Sequence, residues 1–146
     1  MSPSDLPRAL AEIRDDFLEL PEPERLHLLL EFSEGLPAVP DEFQDRPELY
    51  ERVEECQSPV FIIVDVDDAG TVAMHATAPP EAPTTRGFAS ILVQGISGLS
   101  AQEVLDIPND YPQSIGLTRA VSPLRIAGMT GMLGRTKRQV RAKSGL

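Results

Sequence analysis

The sequence predicts an α+β fold, a small, mainly antiparallel β-sheet packed against several α-helices. Three observations predict it. Apolar residues recur at helical spacing in both halves of the chain, the run from Pro59 to Asp67 is rich in Val, Ile and Phe, and DDAG at 67–70 joins that run to a second, alternating one. With 146 residues and 41% hydrophobic content, the whole chain, 1–146, is expected to form one domain around one core.

Taken in order, Leu6, Leu10, Ile13, Phe17 and Leu20 lie on one face of a helix over about residues 5–19, with Ser4 and Asp5 offering an N-cap. A second helix follows. Pro23 suits its first turn, Leu26, Leu29 and Leu30 form its apolar face, and Gly35 with Pro37 stops it, so the two helices are expected to pack antiparallel. The stretch LPAVPDEFQDRPELY at 36–50 has prolines at 37, 40 and 47 and no period, which predicts an ordered but irregular surface connection.

Pro59–Asp67 and Thr71–Ala78 read as a hairpin, and residues just before Cys56 offer a short third strand. Val60, Ile62, Val64 and Val66 share one face with Val72, Met74, Ala76 and Ala78, so helices are expected on that side. Thr84 or Thr85 is placed to cap a helix carrying Phe88, Ile91, Leu92 and Ile96 and ending near Gly98. SAQE at 100–103 is a capping-box pattern that predicts a short helix to about Asp106, and a further helical turn is expected around Gln113–Leu117. Ser122 then Pro123 open the last helix. Its glycines at 128, 131 and 134 make one small-residue face, suited to close packing on a neighbour rather than to cradling phosphate.

Charge narrows the function. All 23 acidic residues lie at or before Asp110, whereas seven of the 13 cations fall between Arg119 and Lys143. The acidic body opposes nucleic-acid binding, and the basic end has too few aromatics for base stacking. Arg135, Lys137, Arg138, Arg141 and Lys143 read either as solvated cations complementing the helix dipole or as a grip for an acidic partner. No stretch approaches the roughly 18–20 apolar residues of a membrane span, and the N-terminus lacks a secretory pattern, which predicts a cytoplasmic protein. One cysteine supports the same reducing compartment.

A metal site is not expected: Cys56, His27 and His75 cannot assemble a tetrahedral cysteine/histidine set, and both histidines read as structural or solvent-facing. Cys56 itself is either a small buried hydrophobe or a nucleophile. Glu54, Glu55, Gln57 and Ser58 around it do not look like core and suggest a thiol presented on a polar turn. A free thiol of pKa about 8.5 is only a few per cent ionised at neutral pH. Carboxylates about 6 Å away would each add roughly half a pK unit.

CQSPVFI at 56–62 resembles the Cys-Gln-Ser-x-Val-Trp-Ile signature of the SufE family of sulfur-acceptor proteins. LLLEFSEGLP at 28–37 is similar to that family's helix ending in a Leu-Pro turn, Arg86-Gly87 to its basic residue and glycine after the hairpin, and SPLRIAGM at 122–129 to its Ser/Thr-Pro-Ser-Arg-x-x-Gly element. Order and spacing agree over roughly residues 10–142. Glu55 replaces the usual glycine, Pro59 a more ordinary residue, and Phe61 the usual tryptophan.

The resemblance implies a fold like that of SufE and the iron–sulfur scaffold proteins. It implies that Cys56 takes persulfide sulfur from a cysteine desulfurase, stimulates that enzyme and passes the sulfur to an iron–sulfur scaffold. Pyridoxal phosphate would belong to the desulfurase, with no cofactor in this chain. Arg125 stands at the family's arginine and Arg86 at its basic residue, and Gln57 and Ser58 would orient the loop or cap the strand. The thiol is expected to be quiet alone and activated by docking, through the donor or through Arg86 or Arg125. Two alternatives stay open: a rhodanese-like sulfurtransferase as donor, and a non-catalytic partner-binding module with an incidental Cys56.

Overall fold

The computed structural model describes residues 6–146. The first hairpin predicted from the Val/Ile-rich run is present as β2 (Phe61–Val66) and β3 (Val72–Thr77), and β1 (Glu51–Arg52) adds a third strand. The sheet is antiparallel throughout, in the order β1-β2-β3. Register sets Ile62 opposite Ala76 and Val64 opposite Met74, so strand alternation puts these four on one face, where all are buried. The turn between β2 and β3 is held by Asp67, whose carboxylate accepts from the N–H groups of Ala69 (3.0 Å) and Thr71 (2.8 Å). Gly70 closes it at φ 83°, a conformation glycine adopts without strain.

Two long helices cover that face: α4 (Pro83–Ile96) packs on β3 and α7 (Pro123–Ser144) on β2. Helices α1 (Arg8–Glu19) and α2 (Glu22–Glu34) both pack chiefly on α4. They meet each other through the stacked rings of Phe17 and Phe32, centroids 5.8 Å apart, rather than as a paired hairpin. α4 is the hub because its glycines admit neighbours. A Cβ on Gly87 would stand 2.6 Å from the Leu29 carbonyl oxygen, and one on Gly95 2.2 Å from a Leu10 methyl. Leu10, Phe17, Leu29, Phe88, Ile91 and Met129 are fully buried in one continuous core.

Several boundaries differ from expectation. The proposed caps Ser4 and Asp5 lie outside the described residues, and α1 starts at Arg8 behind Pro7. α4 is capped by neither Thr84 nor Thr85: Pro83, with its fixed φ, takes the first turn, Ala82 is the N-cap, and Thr84 is buried. The turn expected at 113–117 is α6 (Tyr111–Ser114), anchored by Tyr111, whose buried hydroxyl donates to the Leu10 carbonyl at 2.8 Å. The irregular connection contains α3 (Asp41–Gln44) and a 3-10 turn at Pro47–Leu49. It covers the sheet's outer side, where the ring of Phe43 lies 5.3 Å from that of His75, the partner of Ile63.

Local signals elsewhere hold. Ser100 and Glu103 form the reciprocal capping box that opens α5 (Ala101–Leu105). Ser122 Oγ accepts from the N–H of Arg125 at 3.4 Å, with Pro123 in the first turn of α7. Among the described residues no helix is long and apolar enough to cross a membrane.

Candidate functional site

The loop that carries Cys56 is the tip of a second hairpin. β1 and β2 pair through Glu51–Ile62 and Arg52–Phe61, and the Val53 N–H extends the ladder by donating to the Val60 carbonyl at 2.9 Å. Strand β2 therefore begins after Pro59, not at it. Residues 54–59 form the loop, and the Cys56 N–H donates to the Val53 carbonyl at 3.1 Å, turning the chain tightly just before the thiol.

That turn aims the sulfur inward. Cys56 is only 7% exposed, which corrects the expectation of a thiol presented on a polar turn. The reason lies on α7. A Cβ on Gly128 would stand 2.9 Å from Cys56 Sγ, and one on Gly131 2.7 Å from the Glu55 carboxyl carbon. The glycine face does permit close packing, but its neighbour is the loop rather than another helix. Gly134 faces open space and takes no part.

Glu55, the residue that departs from the family's glycine, ties the loop to the same helix. Its Oε1 accepts from Arg135 Nε (3.1 Å) and Nη2 (2.9 Å), while Arg135 Nη1 donates to Glu51 Oε2 at 3.0 Å. Arg138 also pairs with Glu51, and Gln139 donates to Glu51 Oε1 at 2.6 Å. Hydrogen bonding to Arg135 holds the Glu55 carboxyl below its ordinary range. Burial pushes Glu51 up, but hydrogen bonds from Gln139 and Arg135 and the charge of Arg138 outweigh it and leave it lowered. For Cys56 the balance runs the other way. Burial raises its pKa most, the Glu55 charge raises it further, and Arg135 offsets part of the rise.

The thiol is expected to be quiet, as charge alone suggested, yet the larger cause is desolvation. The basic end of the chain is also less free than composition implies. Lys137 Nζ donates to the Ile107 carbonyl and to Asn109 Oδ1 (2.8 Å), and Lys143 Nζ to the Val64 carbonyl.

Beside the sulfur lies a cleft of about 130 Å³, lined by Cys56, Gln57, Ser58, Glu81, Leu124 and Arg125 among others. Three of the expected support residues, Gln57, Ser58 and Arg125, thus come together with Cys56. Arg125 is exposed and makes no ion pair among the described residues. Leu124, at its side, is one of the few large apolar side chains left exposed, at 53%. Arg86 does not join them. Its Nε donates to the Ser33 carbonyl (2.9 Å) and its Nη1 to the Ala78 carbonyl (2.6 Å), which pins α4 to the ends of α2 and β3. His27 and His75 line neither the cleft nor the loop. Among the described residues no group of three or more His, Cys, Asp or Glu converges as a metal site would require.

The fold and site define a class: α+β proteins that hold a single thiol at a hairpin tip, seated on a helix and beside an open cleft. The SufE family, described as an Fe-S metabolism associated domain, matches residues 11–140, and the chain belongs to that family. It is 46% identical over 140 residues to an uncharacterized SufE-like protein of Mycobacterium tuberculosis, covering 96% of each chain. It is 31% identical over 130 residues to the chloroplastic/mitochondrial SufE-like protein 1 of Arabidopsis thaliana, covering 88% of this chain and 34% of that one. The solution structure of a hypothetical protein from Thermus thermophilus superposes with a TM-score of 0.83 at 34% identity, over 97% of this chain and 99% of the other.

Proposed function

We propose that the chain is a sulfur acceptor that takes persulfide sulfur on Cys56 from a cysteine desulfurase, stimulates that enzyme, and delivers the sulfur to an iron–sulfur scaffold. The observation that carries this reading is the placement of the sole cysteine at a hairpin tip, flanked by the Arg125 cleft. Membership of a family associated with iron–sulfur metabolism supports it.

The step is substitution at sulfur. The Cys56 thiolate attacks the terminal sulfur of the donor's persulfide, a new S–S bond forms at Cys56, the donor's S–S bond breaks, and the donor cysteine leaves as thiolate. The transferred sulfur keeps its proton, so Cys56 ends as a persulfide with no net redox change. Nothing in this step requires a second thiol in the chain. Pyridoxal phosphate, which releases sulfur from cysteine, sits on the partner.

Arg125 and Leu124 are suited to the partner contact, one offering a cation, the other apolar area. Gln57 and Ser58 shape the loop on the cleft side. Such chemistry suits the reducing cytoplasm, where a solitary thiol survives. Desulfurase turnover, measured with wild type and with Cys56→Ser, tests the reading. Stimulation by wild type alone is expected. Equal stimulation by Cys56→Ser would instead mark a docking module.

A further inference from the structure

We infer that Arg135 is the positioning residue of a latch that keeps the Cys56 loop closed, gripping Glu55 beside the thiol and Glu51 at the loop's root. The inference deepens the sulfur-acceptor reading by saying how its thiol is gated.

The geometry joins two separate features. First, Arg135 uses three nitrogens on two carboxylates, one in the loop and one in the strand that leads into it: Nε and Nη2 on Glu55, and Nη1 on Glu51. Arg135 and Glu51 are each only 23% exposed at the side chain, and Glu55 43%. The Glu55 carboxylate is exposed, but Arg135 ties it to the more shielded Glu51, and such a network is worth more than an isolated surface pair. Second, α7 lacks side chains where the loop lies on it: Gly128 receives the Cys56 sulfur and Gly131 receives the Glu55 carboxylate. The same Glu55 side chain thus lies over Gly131 and on Arg135, one residue before the thiol.

Cys56 is largely buried at rest, its sulfur seated against Gly128 at the edge of the cleft, and must come off that seat to meet a donor. Release of the Glu55–Arg135 fork loosens the loop and lets the sulfur leave Gly128 for the cleft. A partner that offers a cation to Glu55 or a carboxylate to Arg135 opens the latch on docking, which confines the exposed thiol to the complex. Glu54, also close to the thiol in sequence, is exposed and outside the fork.

Iodoacetamide labelling of Cys56 in the isolated full chain, followed against pH, tests this. The midpoint of the profile reports thiol ionisation, and the limiting alkaline rate reports how often the sulfur is uncovered. Glu55→Gln is expected to raise the limiting rate about three- to five-fold, Arg135→Met at least as much, and Arg135→Lys less, because one ammonium cannot reproduce the fork. Gly131→Ala is expected to raise it similarly. The new methyl displaces Glu55 while leaving its charge in place, and it improves the helix. Glu54→Gln should match wild type.

Limiting rates for Glu55→Gln and Gly131→Ala within about two-fold of wild type would overturn the latch. Those two variants decide the matter even if Arg135→Met fails to fold. Because no donor is present, failure of the latch leaves the sulfur-acceptor reading standing, and failure of that reading leaves the labelling rates as they are.

Discussion

The Cys56 sulfur rests on Gly128, so closely that a methyl there would lie 2.9 Å from it. A helix glycine costs about 1 kcal/mol of propensity, and here its bare face makes a seat for the thiol.

Gly128→Ala should therefore evict the sulfur. The side chain has one torsion to turn and a cleft to turn into, so labelling by a small alkylating reagent is expected to rise about ten-fold at neutral pH. The melting temperature should change little, since lost packing of a small side chain is offset by about 1 kcal/mol of helix propensity. Labelling rates and thermal melts of the two proteins check this.

Burial and the Glu55 charge both raise the Cys56 pKa, which fixes the sign of a pH effect on stability. The folded protein holds the proton more tightly than the unfolded chain, so the associated stability is complete below the unfolded thiol's pKa of about 8.5 and is lost as pH rises through the higher folded value. Thermal melts from about pH 7 to 10 should fall more steeply for wild type than for Cys56→Ala. The buried Tyr111 hydroxyl, also raised by desolvation, adds a loss only above about pH 10, common to both proteins.

Gly87→Ala should destabilise without touching the loop. Its Cβ would meet a backbone carbonyl of α2 at 2.6 Å, and a carbonyl fixed in a helix cannot rotate away. Overpacking of this kind costs about 1–3 kcal/mol. Urea unfolding should show that loss with an unchanged slope, and Cys56 labelling of the folded protein should match wild type.

What the sequence disclosed was local. The Asp67–Gly70 turn, the Ser100/Glu103 box and the Ser122-Pro123 start each depend on a few adjacent residues, and each appears where expected. The Thr84/Thr85 cap failed because a neighbouring proline sets the backbone one residue earlier. At the site, the signature at 56–62 located the thiol, but not its burial, which depends on a glycine 72 positions further along.

Likewise Arg86 looked available because its partners are carbonyls of Ser33 and Ala78, which no side-chain pattern reveals. The Glu51–Glu55–Arg135 cluster was visible only as an acidic body and a basic end. Pairing residues 80 or more positions apart needs the fold.

Arg125→Ala should separate partner contact from thiol chemistry. Arg125 is exposed and without an ion pair among the described residues, so the melting temperature and Cys56 labelling of the isolated chain should stay at wild-type values. Transfer of sulfur from the desulfurase is expected to fall roughly ten-fold, through weaker docking of the partner. Single-turnover transfer measured at rising donor concentration would show the loss as a higher half-saturation point.

The most direct measurement is the intact mass of the chain after incubation with a cysteine desulfurase and cysteine, followed by peptide mapping. Wild type should gain the mass of one sulfur atom, located on Cys56 and removed by a reductant, and Cys56→Ser should gain nothing. A wild-type chain that stays unmodified while the desulfurase is demonstrably charged with persulfide would contradict the sulfur-acceptor role.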